Sequence, residues 1–70
     1  MEYLVVVEKG KKSFGAYVPD LPGCVAVGET RREVMKLIRD GIALHIEALV
    51  EAGEEVPAPT SKSEVVRVRA

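Results

Sequence analysis

The first hydrophobic run, Tyr3-Leu4-Val5-Val6-Val7-Glu8, is apolar at consecutive positions rather than alternate ones. β-Branched residues crowded in this way suit a strand buried on both faces, so the run predicts a central strand over Tyr3 to Glu8. Lys9-Gly10-Lys11-Lys12 interrupts it as a polar turn. From Ser13 to Val18 the period becomes two, with Phe14, Ala16 and Val18 alternating against Gly15 and Tyr17, and the two runs predict a hairpin. Pro19-Asp20-Leu21-Pro22-Gly23 follows. Its prolines fix the backbone on both sides of Asp20-Leu21, and Gly23 supplies the exit from a stiff, directed loop. Cys24 to Val27 predicts a short third strand, closed by Gly28.

The pattern then changes period. Thr30 stands three residues before Glu33, the spacing of a capping box, and opens a helix expected to run to Ala52 and to stop at Gly53. Val56-Pro57-Ala58-Pro59 reads as a rigid extended connector. Ser63 to Arg69 predicts a last strand, with Val66 and Val68 on one side and Arg67 and Arg69 on the other. The expected fold is therefore α+β with the order β-β-β-α-β: an antiparallel meander, a crossover strand, and one helix packed on the sheet. A right-handed crossover that sets strand four beside strand one gives the order 3-2-1-4, with the first strand inside the sheet. Alternatively, the Pro57/Pro59 arm carries the last strand onto a neighbouring subunit. Residues 1–70 read as a single domain.

At 3.6 residues per turn, Val34, Met35, Leu37, Ile38, Ile42, Leu44, His45, Ile46, Ala48 and Leu49 fall within one arc of roughly 200°, whereas a helix lying on a core needs a stripe of just over about 100°. The surplus predicts contact with another subunit through Leu37, Ile42, Leu44, His45, Ile46 and Leu49. Chain length points the same way. A domain of 70 residues has a small core, worth roughly 3–5 kcal/mol at best, and such domains commonly add disulfides, metal or a partner. One cysteine makes no internal disulfide, and one cysteine with one histidine falls short of a structural zinc site. Self-association, as a dimer or tetramer, is the remedy left.

Composition removes several classes. A chain 47% hydrophobic and 30% charged is globular rather than disordered. No apolar run is long enough to cross a bilayer, and no signal-peptide pattern precedes the first strand. With an unpaired thiol as well, the expected compartment is the cytoplasm. A net charge of −1 and a pI near 5.8 argue against direct nucleic-acid binding, which draws its affinity from phosphate neutralisation.

Candidate catalytic groups lack companions. His45 has Gly41 and Leu49 as its i−4 and i+4 neighbours, so the helix offers it neither nucleophile nor orienting carboxylate. Cys24 opens a strand after Gly23 and lacks the helix N-terminus that lowers a thiol pKa. No carboxylate pair and no phosphate-cradling glycine loop is present, so neither catalytic residues nor metal or cofactor ligands are expected.

One constellation remains. Pro19-Asp20-Leu21-Pro22-Gly23-Cys24, then Gly28-x-Thr30, then Glu33 in a long helix, then Pro57-x-Pro59, together resemble the HicB-type antitoxins of toxin–antitoxin pairs, over Tyr3 to about Pro59. The resemblance implies a degraded ribonuclease-H-like α+β domain, cytoplasmic and oligomeric. It also implies a partner, a small HicA-type toxin that cleaves mRNA through a histidine on a double-stranded-RNA-binding-like fold and whose active site the antitoxin blocks. Many such antitoxins carry a second, DNA-binding segment, which is not expected here. Ribonuclease-H enzymes need a metal-binding carboxylate in the middle of the first strand, where this sequence has Leu4, Val5, Val6 and Val7, so two-metal hydrolysis is not expected either. Asp20, Leu21, Pro22, Arg67 and Arg69 are the expected points of contact with a partner. The competing reading is a stand-alone homo-oligomeric scaffold or sensing domain without a toxin.

Overall fold

The computed structural model describes residues 1–69. Three strands, β1 (Val6–Lys9), β2 (Phe14–Tyr17) and β3 (Val25–Gly28), precede a single helix, α1 (Arg31–Glu51). The strands form an antiparallel meander in the order β1-β2-β3, with Val6 opposite Tyr17 and Tyr17 opposite Val25. Strand alternation sorts the side chains into two faces. Ala16 and Val18 are buried beneath the helix, and Val5, Val7, Phe14 and Ala26 pack against them. Val34 and Ile38 close this core from the helix, while Ile42 and Ile46 extend it along the same face.

The α+β class, the meander and the single helix match the expectation; the last strand does not. Among the described residues, 54–69 form no helix or strand, and β1 lies at an edge of the sheet instead of inside it. The cause is local. Asp20 holds the connector at Thr60 and Ser61, and the Tyr3 hydroxyl donates to the Pro57 carbonyl, so the chain is fastened beside the β2–β3 loop. Residues beyond it leave the body of the domain. The longest dimension is 48 Å, whereas a helix of 21 residues accounts for only about 31 Å.

The helix ends follow the sequence closely. The Glu33 N–H donates to Thr30 Oγ1 at 3.0 Å. The return bond departs from the usual capping box: Glu33 Oε1 accepts from the Glu29 N–H at 3.3 Å, one residue before the cap. At the other end Gly53 has φ +72°. Its N–H donates to the Val50 carbonyl, and the Glu54 N–H donates to the Leu49 carbonyl. That pair of bonds is a Schellman motif, and a left-handed residue is what it requires. Gly28 serves a different need. A Cβ there would lie 2.9 Å from the Val34 nitrogen, so only glycine lets β3 turn this tightly into the helix.

Candidate protein-interaction surfaces

The Pro-Asp-Leu-Pro-Gly loop is two turns in succession. The Leu21 N–H donates to the Val18 carbonyl, and the Cys24 N–H donates to the Leu21 carbonyl, both at 3.0 Å. Pro22 and Gly23, the latter at φ +86°, occupy the central positions of the second turn, the proline-glycine signature of type II. The Val18 N–H then donates to the Cys24 carbonyl at 3.2 Å and closes the base of the loop. This geometry drives Leu21 inward.

Leu21 is 0% exposed and belongs to the core, which corrects its assignment as a contact residue. Two prolines fold the loop back over its own base, and an apolar side chain at the apex has the domain interior as its nearest cover. Asp20 is also engaged internally. Its Oδ2 accepts from the Thr60 and Ser61 N–H groups at 3.0 and 2.9 Å, and its Oδ1 accepts from their hydroxyls at 3.1 and 2.8 Å. These bonds, the Ser61 N–H first among them, hold the carboxyl below its ordinary value of 3.8 against the opposing effect of burial. Asp20 is therefore the latch of the connector. Its role was not legible in the sequence, because Thr60 and Ser61 lie forty residues away. Of the three loop residues expected to meet a partner, Pro22 alone is exposed.

The six helix residues expected at an interface divide. Ile42 and Ile46 pack against the domain's own core, and His45 and Leu49 are half-buried. Leu37 and Leu44 are exposed, Leu44 to 66%, and with Ala48 they form an apolar flank beside the covered face. Cys24 lies under the helix at Gly41, and burial pushes its thiol up from its ordinary value, which makes it less nucleophilic at neutral pH. Among the described residues no cluster of histidine, cysteine and carboxylates could hold a metal. Nor, among the described residues, is any helix long and apolar enough to cross a membrane.

Further apolar surface lies on the face of the sheet opposite the helix. Val25 and Val27 are 69% and 68% exposed, with Tyr17 in register beside Val25. The sequence shows these residues as ordinary strand alternation; only the single-helix architecture leaves their side uncovered. A basic strip, Arg32, Lys36 and Arg39, lines an open groove beside the first turns of the helix. Arg67 and Arg69 are exposed on the extended tail.

Residues 3–69 match the family described as HicB_like antitoxin of bacterial toxin-antitoxin system. The chain belongs to the HicB-like antitoxin family. A 14.9 kDa protein from the rep-hol intergenic region of Haemophilus phage HP1 is 39% identical over 57 residues, covering 81% of this chain and 43% of that protein. This chain thus spans less than half the length of that relative. Among solved structures, the N-terminal domain of Burkholderia pseudomallei antitoxin HicB superposes with a TM-score of 0.79 at 38% identity, over 89% of this chain and 74% of that one. A HicA3 and HicB3 toxin-antitoxin complex contains a chain with a TM-score of 0.73 at 33% identity, over 86% of this chain and 70% of that one. The HicB-like domain accordingly includes the Asp20 latch region and the whole of α1.

Proposed function

We propose that this protein is a non-enzymatic binding module that covers a small HicA-type, RNA-cleaving toxin. The carrying observation is the resemblance, over most of the chain, to a protein solved in a HicA3–HicB3 toxin-antitoxin complex. The physical picture supports it. Tyr17, Val25 and Val27 present apolar side chains on one side of a small rigid sheet, the kind of surface that seals against another protein. Pro22, exposed at the turn of the loop, and Arg67 and Arg69, exposed on the tail, add polar and shape contacts of their own. Residues 1–70 carry the toxin contact, and the protein acts in the cytoplasm, where mRNA is translated. Leu37 and Leu44 serve contact between copies.

Inhibition needs no chemistry from this chain, since a surface that excludes RNA from the toxin suffices. The absence of a carboxylate from Leu4-Val5-Val6-Val7 fits that role. The test is co-expression with a small basic HicA-type protein. The two are expected to copurify, and a stoichiometric amount of this protein is expected to suppress RNA cleavage by that toxin. RNA cleavage that continues at full rate in the presence of excess protein would refute the reading.

A further inference from the structure

Gly15 sits in the middle strand of the sheet, yet nothing in the fold asks for a glycine there. Gly23 and Gly53 have left-handed backbone, and Gly28 is required by the close approach of Val34. Gly15 has no positive φ, and a Cβ on it would meet nothing nearer than the Ala26 carbonyl oxygen at 4.0 Å. A side chain would therefore fit, and it would spare the strand the conformational entropy that an interior glycine costs. Glycine inside a strand commonly marks a place where another group comes close.

The register puts this gap on the side of the sheet away from the helix. Val7, Phe14, Ala16 and Ala26 face the core, so alternation turns Val6, Glu8, Gly15, Tyr17, Val25 and Val27 outward. Gly15 stands directly between Glu8 on β1 and Val27 on β3, and Tyr17 is next along its own strand on the same face. The result is a notch with no side chain on its floor. A carboxylate forms one wall, an isopropyl group the other, and a phenol ring closes one end. Neighbouring strands lie about 4.8 Å apart, so the walls stand roughly 10 Å apart at the backbone, room for one long side chain. Glu8 is exposed, and among the described residues its carboxylate has no ion-pair or hydrogen-bond partner. Lys9 alternates to the helix side, and Lys11 and Lys12 belong to the hairpin turn, so Glu8 is the charge on the walls of the notch.

We propose that the notch over Gly15 receives one arginine or lysine side chain of the toxin, with its stem against Val27 and Tyr17 and its cationic head at Glu8. The inference rests on the toxin-binding reading above and adds the partner chemistry that the sheet face selects. A long cationic side chain matches each wall: its methylenes bury on an apolar neighbour, and its head pairs with a carboxylate beside an aromatic ring. A protein that cleaves RNA needs such side chains to hold phosphates. A cation held at Glu8 is withdrawn from the RNA, so the notch competes with the substrate for the same group.

The test is calorimetric titration of the full chain with a HicA-type toxin whose catalytic histidine is replaced by alanine, with Tm followed in parallel. Gly15→Val is expected to keep or raise Tm while weakening binding by about tenfold or more, because its side chain fills the notch. Glu8→Lys is expected to weaken binding by about tenfold or more and to flatten its dependence on salt. Glu54→Lys/Glu55→Lys, a larger charge change beyond the C-terminal end of the helix, is expected to leave affinity within about twofold of wild type. If Gly15→Val lowers Tm, Glu8→Lys decides the matter, since its exposed carboxylate has no partner to lose. Wild-type affinity in Glu8→Lys would overturn the proposal; if Val25→Asp/Val27→Asp still abolishes binding, the toxin-binding reading of this face stands without the notch. An equal loss in Glu54→Lys/Glu55→Lys would assign the effect to net charge and would also overturn it. A wild-type chain that does not bind the toxin at all would remove both the reading and the notch.

Discussion

Replacing Leu21 with alanine separates two roles that the loop could give it. As the apex of a contact loop, Leu21 would carry affinity for a partner, and its truncation would leave the isolated domain untouched. The structure instead buries it completely, among Ala16, Val18, Cys24, Val34 and Ile38. Leu→Ala at a fully buried site removes apolar contacts and leaves a cavity, at a cost of about 3 kcal/mol. Unfolding entropy of about 2.1 cal/mol/K per residue gives roughly 0.15 kcal/mol/K for a chain of this length. The expected fall in Tm is therefore about 20 °C. A core of this size supplies only a few kcal/mol, so the variant should be partly unfolded at room temperature. Thermal circular dichroism at one fixed protein concentration measures this, because self-association would otherwise shift Tm. Pro22→Ala is the control: its ring is exposed, and the loss expected is a few °C or less. If Leu21→Ala left Tm within about 5 °C of the wild type while weakening partner binding, the burial argument would be wrong.

Three further outcomes follow from the same packing. Gly28→Ala is expected to destabilise the domain by roughly 1–3 kcal/mol in urea unfolding, because its methyl group meets the Val34 backbone rather than a movable side chain; an unchanged midpoint would show that β3 and the helix can separate freely. The latch should open only in acid. Because the folded Asp20 pKa lies below its ordinary value, its contribution is complete above about pH 3.8 and is lost as pH falls through the lower folded value. The Thr60 and Ser61 amide resonances should therefore titrate together with a midpoint below 3.8, and a midpoint above that value would contradict the bond pattern. Cys24, buried and with its thiol pushed up, should react with a thiol reagent only as fast as the domain opens, so urea accelerates labelling; rapid labelling of the native protein would place the thiol at the surface.

Local rules were sufficient wherever the physics is short-ranged. Thr30, Glu33 and Gly53 set both ends of the helix because capping bonds join residues a few positions apart. The prolines and Gly23 set the loop in the same way, and period-two alternation set the meander. The resemblance carried by the loop and helix start also led to the right family. What a loop residue does once the chain has turned is another matter. Proline and glycine fix the backbone of residues 19–23, but whether Leu21 faces the interior or a partner depends on what lies across from it.

The last seven described residues show the limit most clearly. The alternation of Val66 and Val68 with Arg67 and Arg69 states by itself that the segment suits a sheet, and the doubly apolar β1 states that it suits an inner position. Neither pattern says that the two meet within one chain. In the fold, Asp20 accepts four hydrogen bonds from Thr60 and Ser61, some forty positions away, which fasten the connector beside the loop while the tail beyond it stays exposed. Hydrophobic periodicity is a property of each segment alone and is legible one window at a time. The direction in which a rigid connector releases a strand depends on long-range contacts, which exist only after the chain has folded.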